Sequence, residues 1–173
     1  NNLRNGIYFL GTEVFSLDRV LVANNNAENA EGSGISLGRH GTDAIFKNVT
    51  VTQNGAGNEN GGDGIDIYTA GDGDLWTINM INCIIHDNGD ANLVLADRMG
   101  DSDVSFNISY SQIDGGRDGI GNGGGRFQVT YGRGNLDDDP QFVNPDEGDY
   151  HLQDDSPCID GGDPESPLDP DNT

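Results

Sequence analysis

Two carboxylates flanking a glycosidic bond at about 5–10 Å can hydrolyse it, one protonating the leaving oxygen while the other attacks or activates water. Asp66 and Asp97 are the pair best suited to that work in this chain, and Arg98 is the cation beside the second. An elimination would instead need a base, for which Arg98, Arg39 and His40 are the candidates, and often a cation to neutralise a uronate. Tyr8, Arg39, His40 and Tyr68 complete the densest mix of aromatic, cationic and carboxylate groups in the chain once its repeat is laid out. Aromatic faces suit sugar rings, and Arg with carboxylates suits hydroxyls and uronates. The competing reading is an ordinary exposed polar face, on which an Arg39–Asp97 pair would contribute little.

A second chemistry is cation binding. Gly61-Gly62-Asp63-Gly64-Ile65-Asp66-Ile67-Tyr68 fits one copy of the calcium nonapeptide, a motif that works in tandem because consecutive turns share each ion. Asp63, Asp66, Asp72 and Asp74 are close enough in sequence to furnish oxygen ligands for Ca2+, and no other cofactor is expected. Asp137, Asp138, Asp139, Asp160 and Asp163 form a second acidic group. His40, His86 and His151 are too far apart in sequence to suggest a transition metal, and His86 is assigned to a turn. No Gly-x-Ser-x-Gly elbow and no phosphate-cradling glycine loop is present.

The elements that must position these residues show as a repeat. Gly6-Ile7-Tyr8-Phe9, Gly34-Ile35-Ser36-Leu37, Gly64-Ile65-Asp66-Ile67 and Asn92-Leu93-Val94-Leu95 recur at intervals near 28 residues, with a weaker copy at Gly119-Ile120. Between them recurs a second element: Val20 to Asn25, Val49 to Asn54, Cys83 to Asn88, and a degenerate copy from Ser111 to Gly116. Both alternate apolar and variable residues, the period of a half-buried strand. The repeat is too short for a strand-helix-strand unit. The expected fold is all-β: a right-handed, single-stranded parallel β-helix, a solenoid of about four to five coils in which each strand pairs with its counterpart one turn away.

Alternation then assigns faces. Ile7, Phe9, Ile35, Leu37, Ile65, Ile67, Leu93 and Leu95 point inward, and Tyr8, Ser36, Asp66 and Val94 outward. Val20, Val22, Val49, Val51, Cys83 and Ile85 are the inward residues of the second element. Asn25, Asn54 and Asn88 fall at one repeat position, where stacked amides can hydrogen-bond one another.

Composition excludes some partners. Acidic residues outnumber basic ones 30 to 8, for a formal charge of -22. Nucleic acid and anionic membrane surfaces require clustered Lys and Arg, whereas here Lys47 is the only lysine and the arginines are scattered. No apolar run approaches the ~18 residues of a membrane span. Cys83 and Cys158 are too few for a disulfide scaffold; two buried thiols or one bridge remain open.

The composition changes near Gly134. All six prolines lie from Pro140 onward, and no Lys or Arg follows Arg133. Residues 1–135 read as coils, and residues 136–173 as the last coil and the start of a Pro/Asp-rich, cap-like segment packed on the body. The stretch DPQFVNPDEGDYHLQDDSPCIDGGDP within this tail resembles the C-terminal signature of secreted bacterial right-handed β-helix proteins of the pectate-lyase-like superfamily. The resemblance is specific over about residues 136–171; earlier, it is the repeat pattern alone. It implies an extracellular or cell-surface protein, expected to be a segment of a longer chain with neighbouring domains. That superfamily holds polysaccharide lyases, hydrolases and surface proteins, so it implies architecture and not chemistry. The expected role is non-catalytic, whether structural, adhesive or carbohydrate-binding, with a polysaccharide or cell-surface glycan as partner. The alternative is a polysaccharide lyase or glycoside hydrolase.

Overall fold

The computed structural model describes residues 6–10, 14–25, 33–38, 43–55, 64–69, 75–97, 103–122 and 126–167. In chain order the strands are β1 (Ile7–Leu10), β2 (Phe15–Ala23), β3 (Ile35–Gly38), β4 (Ala44–Thr52), β5 (Ile65–Thr69), β6 (Leu75–Ile81) and β7 (Ile84–His86). They continue with β8 (Leu93–Asp97), β9 (Asp103–Ser109), β10 (Gln112–Ile113), β11 (Ile120–Asn122), β12 (Arg126–Tyr131), β13 (Phe142–Asn144) and β14 (Asp149–Leu152). Among the described residues the only helical element is a 3-10 turn at Pro145–Glu147.

The first sheet is parallel, in the order β1-β3-β5-β8-β11. Ile7 pairs with Ile35, Ile35 with Ile65, Ile65 with Leu93, and Leu93 with Ile120. The repeats are thus aligned without slip, and a one-residue slip would turn every Ile to solvent.

The second sheet, also parallel, holds β2, β4, β6, β7, β9, β10 and β12. Val22 pairs with Val51, Val51 with Ile85, and Ile85 with Ile113. Each repeat also contributes a strand segment ahead of this element that the repeat pattern alone passes over. Phe15, Ala44, Ile78, Phe106 and Val129 share one row, and Leu17, Phe46, Met80, Ile108 and Tyr131 another. Alternation marks these segments in sequence, but their distance from the opening glycine varies, which hides the equivalence.

A single left-handed residue turns the chain between the two segments: Arg19, Asn48, Asn82 and Tyr110, with φ of 56°, 54°, 54° and 49°. Asn adopts this conformation readily, whereas Arg and Tyr pay about 1–2 kcal/mol.

Inward residues of both sheets meet in one core, where Ile35, Phe46, Ile65, Ile67, Ile78, Ile85 and Phe106 are completely buried. Each such side chain contributes about 1.5–3 kcal/mol. In the edge repeats Ile7, Phe9, Phe15, Leu17, Phe127 and Val129 are only partly buried, because each has a neighbour on one side alone.

The asparagines form the expected ladder. Asn25 Nδ2 donates to Asn54 Oδ1 (2.9 Å), and Asn54 Nδ2 to Asn88 Oδ1 (3.0 Å). Gly116 occupies the next equivalent position, and the ladder ends differently there: Asn88 donates to Asn92 Oδ1 and Asn92 to Asp114. The opening glycines are fixed by the same feature. A Cβ on Gly34 would lie 2.7 Å from Asn54 Nδ2, and one on Gly64 2.6 Å from Asn88 Nδ2.

The tail lies against the outer face of the second sheet. β13 and β14 pair antiparallel, with Phe142 and Tyr150 edge-to-face at 5.6 Å. Leu136 bridges to Gln112. Asn24 donates to Tyr150 Oη (2.5 Å), which donates to Gln53 (3.0 Å). Asn82 donates to Ser166 (3.0 Å) and accepts from the backbone N–H of Asp163 (2.8 Å).

Candidate functional site

The outward row of the first sheet is Tyr8, Ser36, Asp66 and Val94, paired strand to strand. Tyr68 stands two positions beyond Asp66, level with Gly38. Gly38 is what lets it reach further: a Cβ there would fall 2.2 Å from Tyr68 Cζ, so the ring lies across the glycine. Its hydroxyl meets that of Tyr8 at 3.0 Å, 60 residues away in sequence. Tyr8 is 55% exposed, whereas Ser36 in the same row is 4% exposed. The face therefore carries two joined aromatic rings beside a half-buried carboxylate, Asp66.

The other sequence-selected residues are placed as follows. Asp97 ends β8 and pairs with Thr69, whereas Asp66 pairs with Val94. That register sets the two aspartates on adjacent strands and three positions apart, about 11 Å between Cα atoms by strand geometry. Arg39, His40, Asp63, Asp72, Asp74 and Arg98 lie outside the described residues. Among the described residues no three His, Cys, Asp or Glu side chains gather at metal-ligand spacing, the tail aspartates included.

Two clefts at the junction of tail and second sheet escaped sequence reasoning. The larger, about 440 Å3, sets Arg19, Lys47 and Asn82 opposite Asp160, Asp163 and Ser166. The other, about 280 Å3, is lined by Thr52, His86, Asp139, Gln141 and Phe142. His86 is the last residue of β7 and not part of a turn. Its Nε2 lies 3.9 Å from Asp139, and its Nδ1 3.4 Å from the Gln112 amide. The signal available in sequence was the outward position that Thr52 and His86 share, but nothing there shows that the tail covers it.

The thiols are not poised as nucleophiles. Burial pushes Cys83 up to about 12, against weaker opposing hydrogen bonds from the Val49 and Ile81 backbone and from Ser111. Cys158, half-buried, is raised by the same cause. Both are free. In the tail, the hydrogen bond from His151 holds the Asp149 carboxyl below its usual value.

No family model, curated protein or solved structure matches this chain. No helix among the described residues is long and apolar enough to cross a membrane.

Proposed function

We propose that the chain is a right-handed parallel β-helix, extracellular or at a cell surface, with a structural, adhesive or carbohydrate-binding role. The observation that carries the reading is the Tyr8–Tyr68 pair on the outer face of a rigid, in-register sheet. Two linked aromatic rings on strands make a firm platform for the apolar face of a pyranose, and Asp66 alongside can accept from sugar hydroxyls. The resemblance of residues 136–171 to secreted β-helix proteins supports the placement outside the cell, as does the acidic balance, which favours solubility over anionic surfaces. Calcium would bind at the 61–74 segment, where Asp66 is a half-buried carboxylate on β5.

A panel of neutral and acidic glycans tests the reading. Binding that is lost in Tyr8→Ala and in Tyr68→Ala, with folding intact, supports it. Binding unchanged in both variants overturns the choice of face. The same panel, assayed for reducing ends and unsaturated uronate products with and without calcium, decides the enzymatic alternative. Turnover abolished by Asp97→Ala or Arg98→Ala would replace the non-catalytic reading.

A further inference from the structure

Both interior members of the ladder are followed by glycine: Asn54-Gly55 and Asn88-Gly89. Asn-Gly is the sequence most open to self-modification, because glycine has no Cβ to hinder its amide nitrogen from reaching the asparagine carbonyl carbon. The glycine N–H loses its proton, its nitrogen bonds to Asn Cγ, and the Cγ–Nδ2 bond breaks. Ammonia leaves with that proton, and water then opens the five-membered imide to aspartate or isoaspartate. The net change is amide plus water to carboxylate plus ammonium, with no oxidant or cosubstrate.

The fold blocks every step. Gly55 N–H is held by Asn25 O (3.2 Å), and Gly89 N–H by Asn54 O (2.7 Å). Each ladder amide turns back along its own strand, away from the following nitrogen: Asn54 Nδ2 donates to Thr52 O (3.0 Å), and Asn88 Nδ2 to His86 O (3.1 Å). The leaving nitrogen of Asn54 is also bound by Val22 O (2.9 Å) and Asn88 Oδ1 (3.0 Å). Asn54 is 0% exposed and Asn88 9%, so water has little access.

We infer that Asn54 and Asn88 are latent deamidation sites whose chemistry is withheld by the ladder and released by unfolding, making unfolding of this chain progressively irreversible. The product cannot re-enter the fold. A carboxylate at position 54 would face three acceptors, Val22 O, Thr52 O and Asn88 Oδ1, with no proton to offer them, at a completely buried position. A site that reacts only when unfolded reacts in proportion to the unfolded fraction, about 10⁻³ or less for a stable domain. Native conversion is therefore expected to be about a thousandfold slower than conversion in denaturant.

The test holds the full chain at mildly alkaline pH, thiols reduced, in native buffer and in guanidinium chloride. Peptide mass spectrometry follows conversion at 54 and 88, and dilution of aliquots gives the refoldable fraction. Conversion in denaturant alone, with refoldability falling at the same rate, is the expected result. A parallel arm at mildly acidic pH in denaturant should keep both the asparagines and refoldability, because the hydroxide that removes the glycine N–H proton is scarce there. Gly89→Ala, at an exposed position whose φ is not left-handed, should slow conversion at 88 and leave that at 54 unchanged. If that variant does not fold, Asn54→Asp read for folding at acidic and neutral pH takes its place. Native conversion within about tenfold of the denatured rate overturns the proposal, since it places the reaction outside unfolding. So does chain converted at position 54 that refolds to parental stability, or loss of refolding that is equal in the two pH arms.

Discussion

Asn54→Ala removes a side chain whose every polar group is used. Its Nδ2 donates to Val22 O, Thr52 O and Asn88 Oδ1, and its Oδ1 accepts from both the backbone N–H and the side-chain amide of Asn25. Alanine leaves three acceptors and two donors to find other partners at a completely buried position. Each orphaned buried group costs about 1–3 kcal/mol. Water can enter the space of the lost amide and satisfy some of them, so the sum is not the expectation. About 3–5 kcal/mol is, a large share of the 5–15 kcal/mol of a typical domain. Asn25→Ala is the control. Asn25 is only partly buried, whereas Asn54 is completely buried, so the loss of Asn25 should cost about 1 kcal/mol. Urea unfolding of the three proteins, with m-values compared, measures both. A cost for Asn54→Ala within about 1 kcal/mol of that for Asn25→Ala would refute the reasoning, because it would mean the completely buried amide adds nothing beyond a partly buried one.

Arg19 sits in the left-handed corner that Asn48 and Asn82 fill in later repeats, and its ion pair with Asp18 is exposed. Arg19→Asn should therefore stabilise by about 0.5–1 kcal/mol, seen as a higher urea midpoint at unchanged m. Gly38→Ala should destabilise by about 1–3 kcal/mol and break the tyrosine pair, because the new methyl would overlap the Tyr68 ring; thermal melts and tyrosine fluorescence report the two effects separately. Thiol labelling near pH 8 should modify Cys158 slowly and leave Cys83 untouched until denaturant is added. The same thiol sets a pH dependence. The unfolded chain releases the Cys83 proton near its ordinary 9.0 while the folded chain holds it to about 12, so stability falls as pH rises through that window. The slope is up to about 1.4 kcal/mol per pH unit, and Cys83→Ala should lessen it in urea titrations at successive pH values.

The stacked strands were legible in the chain because their cause is local and repeated. Alternation at Gly-Ile and Val-x-Val sets which residues face inward, and the recurrence of the opening residues Gly6, Gly34, Gly64 and Asn92 at near-equal intervals marks equivalent strands, so Ile35, Ile65 and Leu93 meet as the sequence predicts. The ladder was legible for the same reason, since Asn25, Asn54 and Asn88 recur in phase. The row through Phe15, Ala44, Ile78 and Phe106 was harder to read, because its distance from the opening residue of each repeat varies and blurs the period. The tail's seat on the second sheet has no periodic signature at all. Tyr150 meets Gln53 and Asp163 meets Asn82 across more than 80 residues, and only the folded backbone decides which outward positions are close enough to be covered. The clefts that hold His86 and Lys47 exist through that seating alone. Tyr68 and Tyr8 join for a similar reason: an empty space above Gly38 is a property of three adjacent strands, not of any one of them. Local alternation and period thus determined the strands and the core, while contacts across several strands, or with the non-repeating tail, determined the outer faces.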